Sequence, residues 1–231
     1  MASESHHEEH HWDYVGTYSP EHWGEVDEKS FMCGVGRNQS PINITKSVEV
    51  HGDLEPIGFK YVSKAKDVVN NGHTIQVNID NGSTITVDGM EFELKQFHFH
   101  TPSENQIEGK SFPLEAHFVH AAKDGSLAVL AVMFDDGAEN PILKKVWDAM
   151  PHKIGGHAHI TLDAKDLNDF LPAKKEYFRF EGSLTTPPCT EGVRWFVLKN
   201  HDYASKEQVA QFLKVLHHHN NRPCKALVLE K

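Results

Sequence analysis

Two short segments carry residue types that hold and tune metal ions: Gln96-Phe97-His98-Phe99-His100 and Glu115-Ala116-His117-Phe118. On a β-strand, residues i and i+2 point to the same face, roughly 6.6 Å apart along the chain. His98 and His100 can therefore converge on one ion, with Gln96 on their face and Phe97 and Phe99 anchoring the opposite one. If a strand over 114–121 pairs beside this one, His117 supplies a third nitrogen and Glu115 lies next to it. Three imidazoles with no fourth protein ligand describe a catalytic zinc centre whose open position takes water. Each ligating ring must be neutral and gives its other N–H to an acceptor, a part that Gln96 and Glu115 can fill. Spacing alone leaves two interpretations open, this centre or a packed pair of polar side chains. The second carboxylate-x-His strand puts the metal centre on equal terms with the packed pair.

Such a site needs a sheet to hold it. The 231 residues suit one large domain, and 39% hydrophobic residues with 16 glycines suffice for a substantial core. Strands are expected over 59–62, 74–79, 84–87, 91–100, 114–121, 127–134, 157–162, 177–181, 193–198 and 227–229. Asn70-Asn71-Gly72, Asp80-Asn81-Gly82, Asp88-Gly89 and Lys123-Asp124-Gly125 supply turn signals between them. The run Leu127 to Phe134 is apolar on both faces, which places it centrally. Helices are expected after Asn140 with Pro141 in the first turn, after Asp163, and after Ser205, which forms a capping box with Gln208. Residues 12–45 lack a sustained period and read as irregular chain over a core. The fold class is therefore mostly β with peripheral helices, a single domain around a large, mainly antiparallel twisted sheet.

Charge narrows the partners. Asp and Glu number 33 against 23 Lys and Arg, a net −10, which disfavours nucleic acid or an anionic membrane and leaves small molecules or ions. The longest apolar run is far short of the roughly 18 residues a membrane span needs. No signal-peptide core is visible near the start, so the expectation is a cytosolic protein or a secreted one presented without its leader. Three cysteines, Cys33, Cys189 and Cys224, sit at no zinc-finger or redox spacing.

At this point the residues resemble a known family. QFHFH, EAHFV and Ser183-Leu184-Thr185-Thr186-Pro187-Pro188 are similar to motifs of the alpha-class carbonic anhydrases. So are His11-Trp12-x-Tyr14, Pro20-Glu21-His22-Trp23, Gln39-Ser40-Pro41-Ile42, Asn70-Asn71-Gly72-His73, Trp195-Phe196-Val197-Leu198 and Asn220-x-Arg222-Pro223. These marks run in family order from residue 11 to residue 223. The resemblance implies one zinc ion per chain on His98, His100 and His117, at the bottom of a conical cleft. It also implies reversible hydration of carbon dioxide to bicarbonate and a proton. Zinc on three neutral histidines lowers the pKa of its water to about 7, a behaviour for which carbonic anhydrases are themselves the standard example.

Roles carry over position by position. Thr185 matches the threonine that orients the nucleophile, and Glu104 the glutamate that takes the threonine's proton. Val119, Val129, Leu184 and Trp195 match the apolar pocket for carbon dioxide, and Thr186 a position near bound bicarbonate. Asn220 matches the residue whose backbone carbonyl orients His100, joining Gln96 and Glu115 behind the ligands. His73 matches the proton shuttle, since an imidazole near pKa 6.5 both takes and returns a proton. Strict alternation would turn His73 to the core with Ile75 and Val77, so its ring reaches the cleft only if the turn or a bulge breaks the period. Tyr14, Asn71 and Gln76 match polar positions that order water.

The resemblance also implies a Cys33–Cys189 disulfide, a periplasmic or secreted location, a homodimer, and inhibition by sulfonamides and small anions. Cys224 departs from that pattern and is expected to be a buried free thiol. Residues 1–10 are expected to be a flexible His/Glu-rich tail ahead of a catalytic domain over 11–231. Two other classes compete: a zinc-binding or interaction module that kept the fold without catalysis, and a zinc buffer using the histidine-rich tail. His217, His218 and His219 end a helix, where positive charge suits the dipole.

Overall fold

The computed structural model describes residues 11–46 and 54–226. The expected tail over 1–10 and the expected strand over 227–229 lie outside the described residues. Thirteen strands appear among those described: β1 (Asn43–Ile44), β2 (Gly58–Lys60), β3 (Ala65–Asn70), β4 (Ile75–Ile79), β5 (Thr84–Val87), β6 (Met90–His100) and β7 (Gln106–Ile107). The rest are β8 (Leu114–Ala121), β9 (Leu127–Asp136), β10 (His157–Ala158), β11 (Tyr177–Ser183), β12 (Glu191–Leu198) and β13 (Asp202–Ala204). The helices are α1 (Met32–Val35), α2 (Pro141–Ala149), α3 (Ala164–Asp169) and α4 (Lys206–Leu216), with 3₁₀ turns over Gly16–Tyr18, Pro20–Glu25 and Glu28–Ser30.

Eleven strands form one sheet whose main order is β10-β3-β4-β6-β8-β9-β12-β11. Most pairs are antiparallel, but β12 and β13 both run parallel to β9. Side chains alternate along β6, so Phe97 and Phe99 face one way and His98 and His100 the other. The apolar side packs with Phe118, Trp147, Phe170 and Phe212 into the main core beneath α2, α3 and α4. Burying each such aromatic contributes about 1.5–3 kcal/mol. That layer holds β6 and β8 rigid enough for their other face to carry polar groups.

Three helix starts follow the sequence expectation. Asn140 Oδ1 accepts from the backbone of Ile142 and Leu143, Asp163 caps α3, and Ser205 with Gln208 closes a capping box on α4. Two expectations need correction. Ala65–Asn70 is a full strand beside β4 that its Lys66-Asp67 interruption had hidden. The strand expected over 157–162 keeps only two residues as regular strand, although the Leu162 carbonyl still accepts from Ala65 N at the start of β3 and Ile160 and Leu162 are buried.

Candidate metal centre

Register brings the candidate ligands together. Antiparallel pairing sets His98 directly opposite His117 and His100 opposite Glu115, so all four share one face. Ring centroids of the three histidines lie 4.7–5.4 Å apart, and one nitrogen from each lies within 4.8 Å of the others. Of the remaining nitrogens, two are hydrogen-bonded and the third faces a carboxylate. His98 Nδ1 donates to Gln96 Oε1 at 2.8 Å, and His100 Nδ1 donates to the Asn220 carbonyl at 2.7 Å. His117 Nε2 lies 3.1 Å from Glu115 Oε2, at an angle short of an ideal hydrogen bond. Glu115 is itself fixed by the backbone N–H groups of Glu104 and Asn105 and by the Asn105 amide.

Electrostatics favour the neutral form of His98 and His100. Burial, then the neighbouring His117, drives His98 down to about 3 and His100 well below its ordinary value. Burial would lower His117 as well, but Glu115 and Glu104 outweigh it and raise its pKa. His100 Nε2 and Glu104 Oε1 are buried without a hydrogen-bond partner, although they are only 3.2 Å apart. A lone pair facing a carboxyl oxygen in a dry interior is costly. A cation among the three rings would relieve it, so the residues fit an N₃ metal centre, and the absence of thiolate donors suits zinc with an open position. Glu104 is pushed up to about 8, chiefly by burial, while His117, Thr185 and the Arg222 N–H pull the other way.

The Glu104 carboxyl is held from two sides. Its Oε2 accepts from the backbone N–H of Arg222 at 2.8 Å, and the Thr185 hydroxyl stands within hydrogen-bonding reach. The Arg222 guanidinium is buried and donates to Gln39 Oε1 and to the carbonyls of Ser40 and Cys33. Asn220 is equally committed: its Oδ1 accepts from Thr101 N, and its amide donates to the carbonyls of His73 and Phe99.

A family profile described as eukaryotic-type carbonic anhydrase matches residues 18–229. The chain belongs to the alpha carbonic anhydrase family. Relatives named carbonic anhydrase include one from Pectobacterium carotovorum, 46% identical over 94% of this chain and 88% of that protein. Another, from Neisseria gonorrhoeae, is 48% identical over 94% and 85%. Among solved structures, the alpha carbonic anhydrase of Thermovibrio ammonificans in complex with the inhibitor sulfanilamide superposes with a TM-score of 0.90 at 49% identity. That match covers 94% of this chain and 96% of the other.

Other positions singled out by the carbonic anhydrase resemblance gather around the same face. Val119, Val129 and Trp195 stand in one row across β8, β9 and β12, and Leu184 packs against the same apolar cluster. Trp195 also meets the His117 ring edge-on at 4.9 Å. Thr186 is half-buried nearby, its carbonyl accepting from Cys189 N. Gln76 sits opposite His98 and donates to Asn78 Oδ1.

The turn before β4 resolves the question of His73. Asn71 Oδ1 accepts from the backbone N–H of both His73 and Thr74, and Gly72 takes a positive φ of 85°. This departure from the strand period releases His73 from the core face. Its ring stacks on Trp12 at 3.6 Å and meets buried Tyr14 at 6.5 Å. Burial lowers its pKa, with Asp13 opposing and His11 and His218 adding to the fall. Trp12 entered the sequence reading only as a family mark; its stacking partner is more than sixty positions away, and no local pattern announces it.

Cys33 and Cys189 form a disulfide with Cα atoms 5.1 Å apart, joining α1 to the segment that carries Thr185. Cys224 is a free thiol, but only half-buried rather than buried. It donates to the Glu104 carbonyl at 3.4 Å, and burial, with Glu115 and Glu104, pushes it up to about 11. Among the described residues, no helix is long and apolar enough to cross a membrane.

Proposed function

We propose that this chain is a zinc enzyme that reversibly hydrates carbon dioxide to bicarbonate and a proton, with His98, His100 and His117 as the ligands. The observation that carries this reading is the set of three rings, each oriented by a different outer group, around buried nitrogen and oxygen atoms that lack partners. Zinc, when bound, supplies a Lewis acid that makes water nucleophilic near neutral pH, as carbonic anhydrases exemplify.

The chain's own residues do the rest. Gln96, the Asn220 carbonyl and Glu115 fix which nitrogen of each ring faces inward. Glu104 accepts a hydrogen bond from the Thr185 hydroxyl, which leaves the Thr185 oxygen free to accept from, and so orient, the attacking water. A cation beside Glu104 favours its carboxylate form, the state this role requires. Val119, Val129, Leu184 and Trp195 offer apolar carbon dioxide a dry wall, and Thr186 stands where the charged product forms. The released proton moves through water ordered by Tyr14, Asn71 and Gln76 to His73.

The sulfanilamide complex of the Thermovibrio ammonificans relative supports inhibition of this chain by sulfonamides and, through the same open position, by small anions. The Cys33–Cys189 bond supports a periplasmic or secreted location. Exposed Phe31, Met32 and Val35 support a homodimer built by the catalytic domain over 11–231. Stopped-flow hydration assays with metal analysis before and after chelation test the central reading. One zinc per chain with chelator-sensitive turnover is expected, and a fully loaded but inactive protein overturns it.

A further inference from the structure

Beyond His73, the mouth of the site carries a second arrangement of proton-binding groups. Asp13 Oδ1 lies 3.3 Å from His218 Nε2, and Asp13 Oδ2 lies 3.7 Å from His11 Nε2. His218 Nδ1 is 2.8 Å from the carbonyl oxygen of His219. Both partners of the His218 ring are acceptors. A neutral imidazole has one N–H and satisfies only one of them, whereas a second proton satisfies both. The ring retains 21% exposure, so it opens on solvent. Tyr14 neighbours both rings, 6.1 Å from His218 and 6.5 Å from His73. Asp13 is anchored in place, with Oδ1 accepting from Tyr14 N at 2.7 Å.

We propose that His218, held by Asp13, is a second proton station that relays the proton from His73 to bulk buffer. This rests on the carbonic anhydrase reading and on His73 as the first acceptor. In the step, an N–H bond of the His73 imidazolium breaks, water carries the proton, and an N–H bond forms at His218 Nε2. His73 returns to neutral, and the proton then leaves His218 to buffer. One carboxylate faces three imidazoles here: Asp13 favours a proton on His73, whereas His11 and His218 oppose it. The first proton is therefore attracted and a second repelled, which passes protons outward singly. A tether between the two chain segments would explain the ion pair, but not a ring whose two nitrogens both face acceptors.

The test uses the zinc-loaded enzyme. His218→Gln is expected to lower kcat in weak buffer by roughly tenfold, an order below what a primary proton-transfer group contributes. kcat/KM should stay at the wild-type value, and added imidazole should restore kcat. NMR titration of the His73 ring supplies a readout independent of turnover: His218→Gln raises its midpoint and Asp13→Asn lowers it. Asp13→Asn keeps the oxygen that accepts from Tyr14 N and serves as the second variant should His218→Gln fold poorly; it too should lower kcat in weak buffer. Wild-type kcat in weak buffer, or an equal fall in kcat and kcat/KM, overturns the station. A His73→Ala enzyme without buffer dependence sinks the His73 reading separately. Buffer dependence in His73→Ala beside an unaffected His218→Gln sinks only the station.

Discussion

His100 and His120 are both buried histidines on neighbouring strands, 1% and 0% exposed, yet they lie on opposite faces of the sheet. His120 pairs with Leu94 on the face beneath the helices, and both its nitrogens are engaged, one with the Tyr61 hydroxyl at 2.7 Å and one with the Ala128 carbonyl at 3.2 Å. His100 has one nitrogen engaged by Asn220 and one open beside two other imidazoles. Burial therefore does not mark a functional histidine; the open nitrogen does. A ring with both nitrogens spoken for completes a core, whereas a ring with one nitrogen free and fixed by the other awaits a ligand.

That contrast can be broken in four ways. His100→Ala should abolish zinc retention and turnover, an effect larger than the roughly 10–100-fold loss that follows from altering an outer partner; full metal occupancy by elemental analysis would contradict the ligand assignment. Phe99→Ala, one residue away on the apolar face, should cost about 3–5 kcal/mol in denaturant unfolding through the cavity it leaves. Its folded fraction should still bind one zinc per chain, and metal loss without loss of stability would erase the division between the faces.

The third concerns acid. Burial lowers His120 to about 4 in the folded chain, against about 6.5 when unfolded. Above the unfolded value both states are neutral and no stability is lost. As pH falls below it, the unfolded chain takes up a proton that the folded chain refuses, so stability drops by up to about 3 kcal/mol on reaching the folded value. His120→Leu combined with Tyr61→Phe should remove that part of the slope in urea melts between pH 7 and pH 4. The smallest effect belongs to Glu115→Gln, which should weaken zinc affinity by roughly 10–100-fold in chelator competition while leaving the ligand count unchanged.

The metal face was legible because period-2 alternation is local: QFHFH and EAHFV declare which residues share a side, and capping residues declare where α2, α3 and α4 begin. Strand β3 was not legible, since Lys66 and Asp67 break its alternation and a register shift between Ala65 and Asp67 accommodates them only in the paired sheet. The parallel alignment of β12 on β9 was equally hidden, because the chain between them runs through α2, β10, α3 and β11 and neither strand's own residues declare it. Asp13, His218 and the guanidinium bonds of Arg222 escaped for one shared reason. Each acts across the fold, joining the start of the chain to its end.

Timing follows from the Asn220 carbonyl and the Arg222 N–H. They reach His100 and Glu104 from 120 and 118 positions further along the chain. At biosynthetic rates, the ribosome delivers them roughly 6 to 24 seconds after His100 and Glu104. During that interval His98 has its local acceptor in Gln96, but His100 lacks the carbonyl that selects its tautomer. Full affinity for the ion is thus a property of the finished polypeptide, and metal capture at that strength comes last in its manufacture.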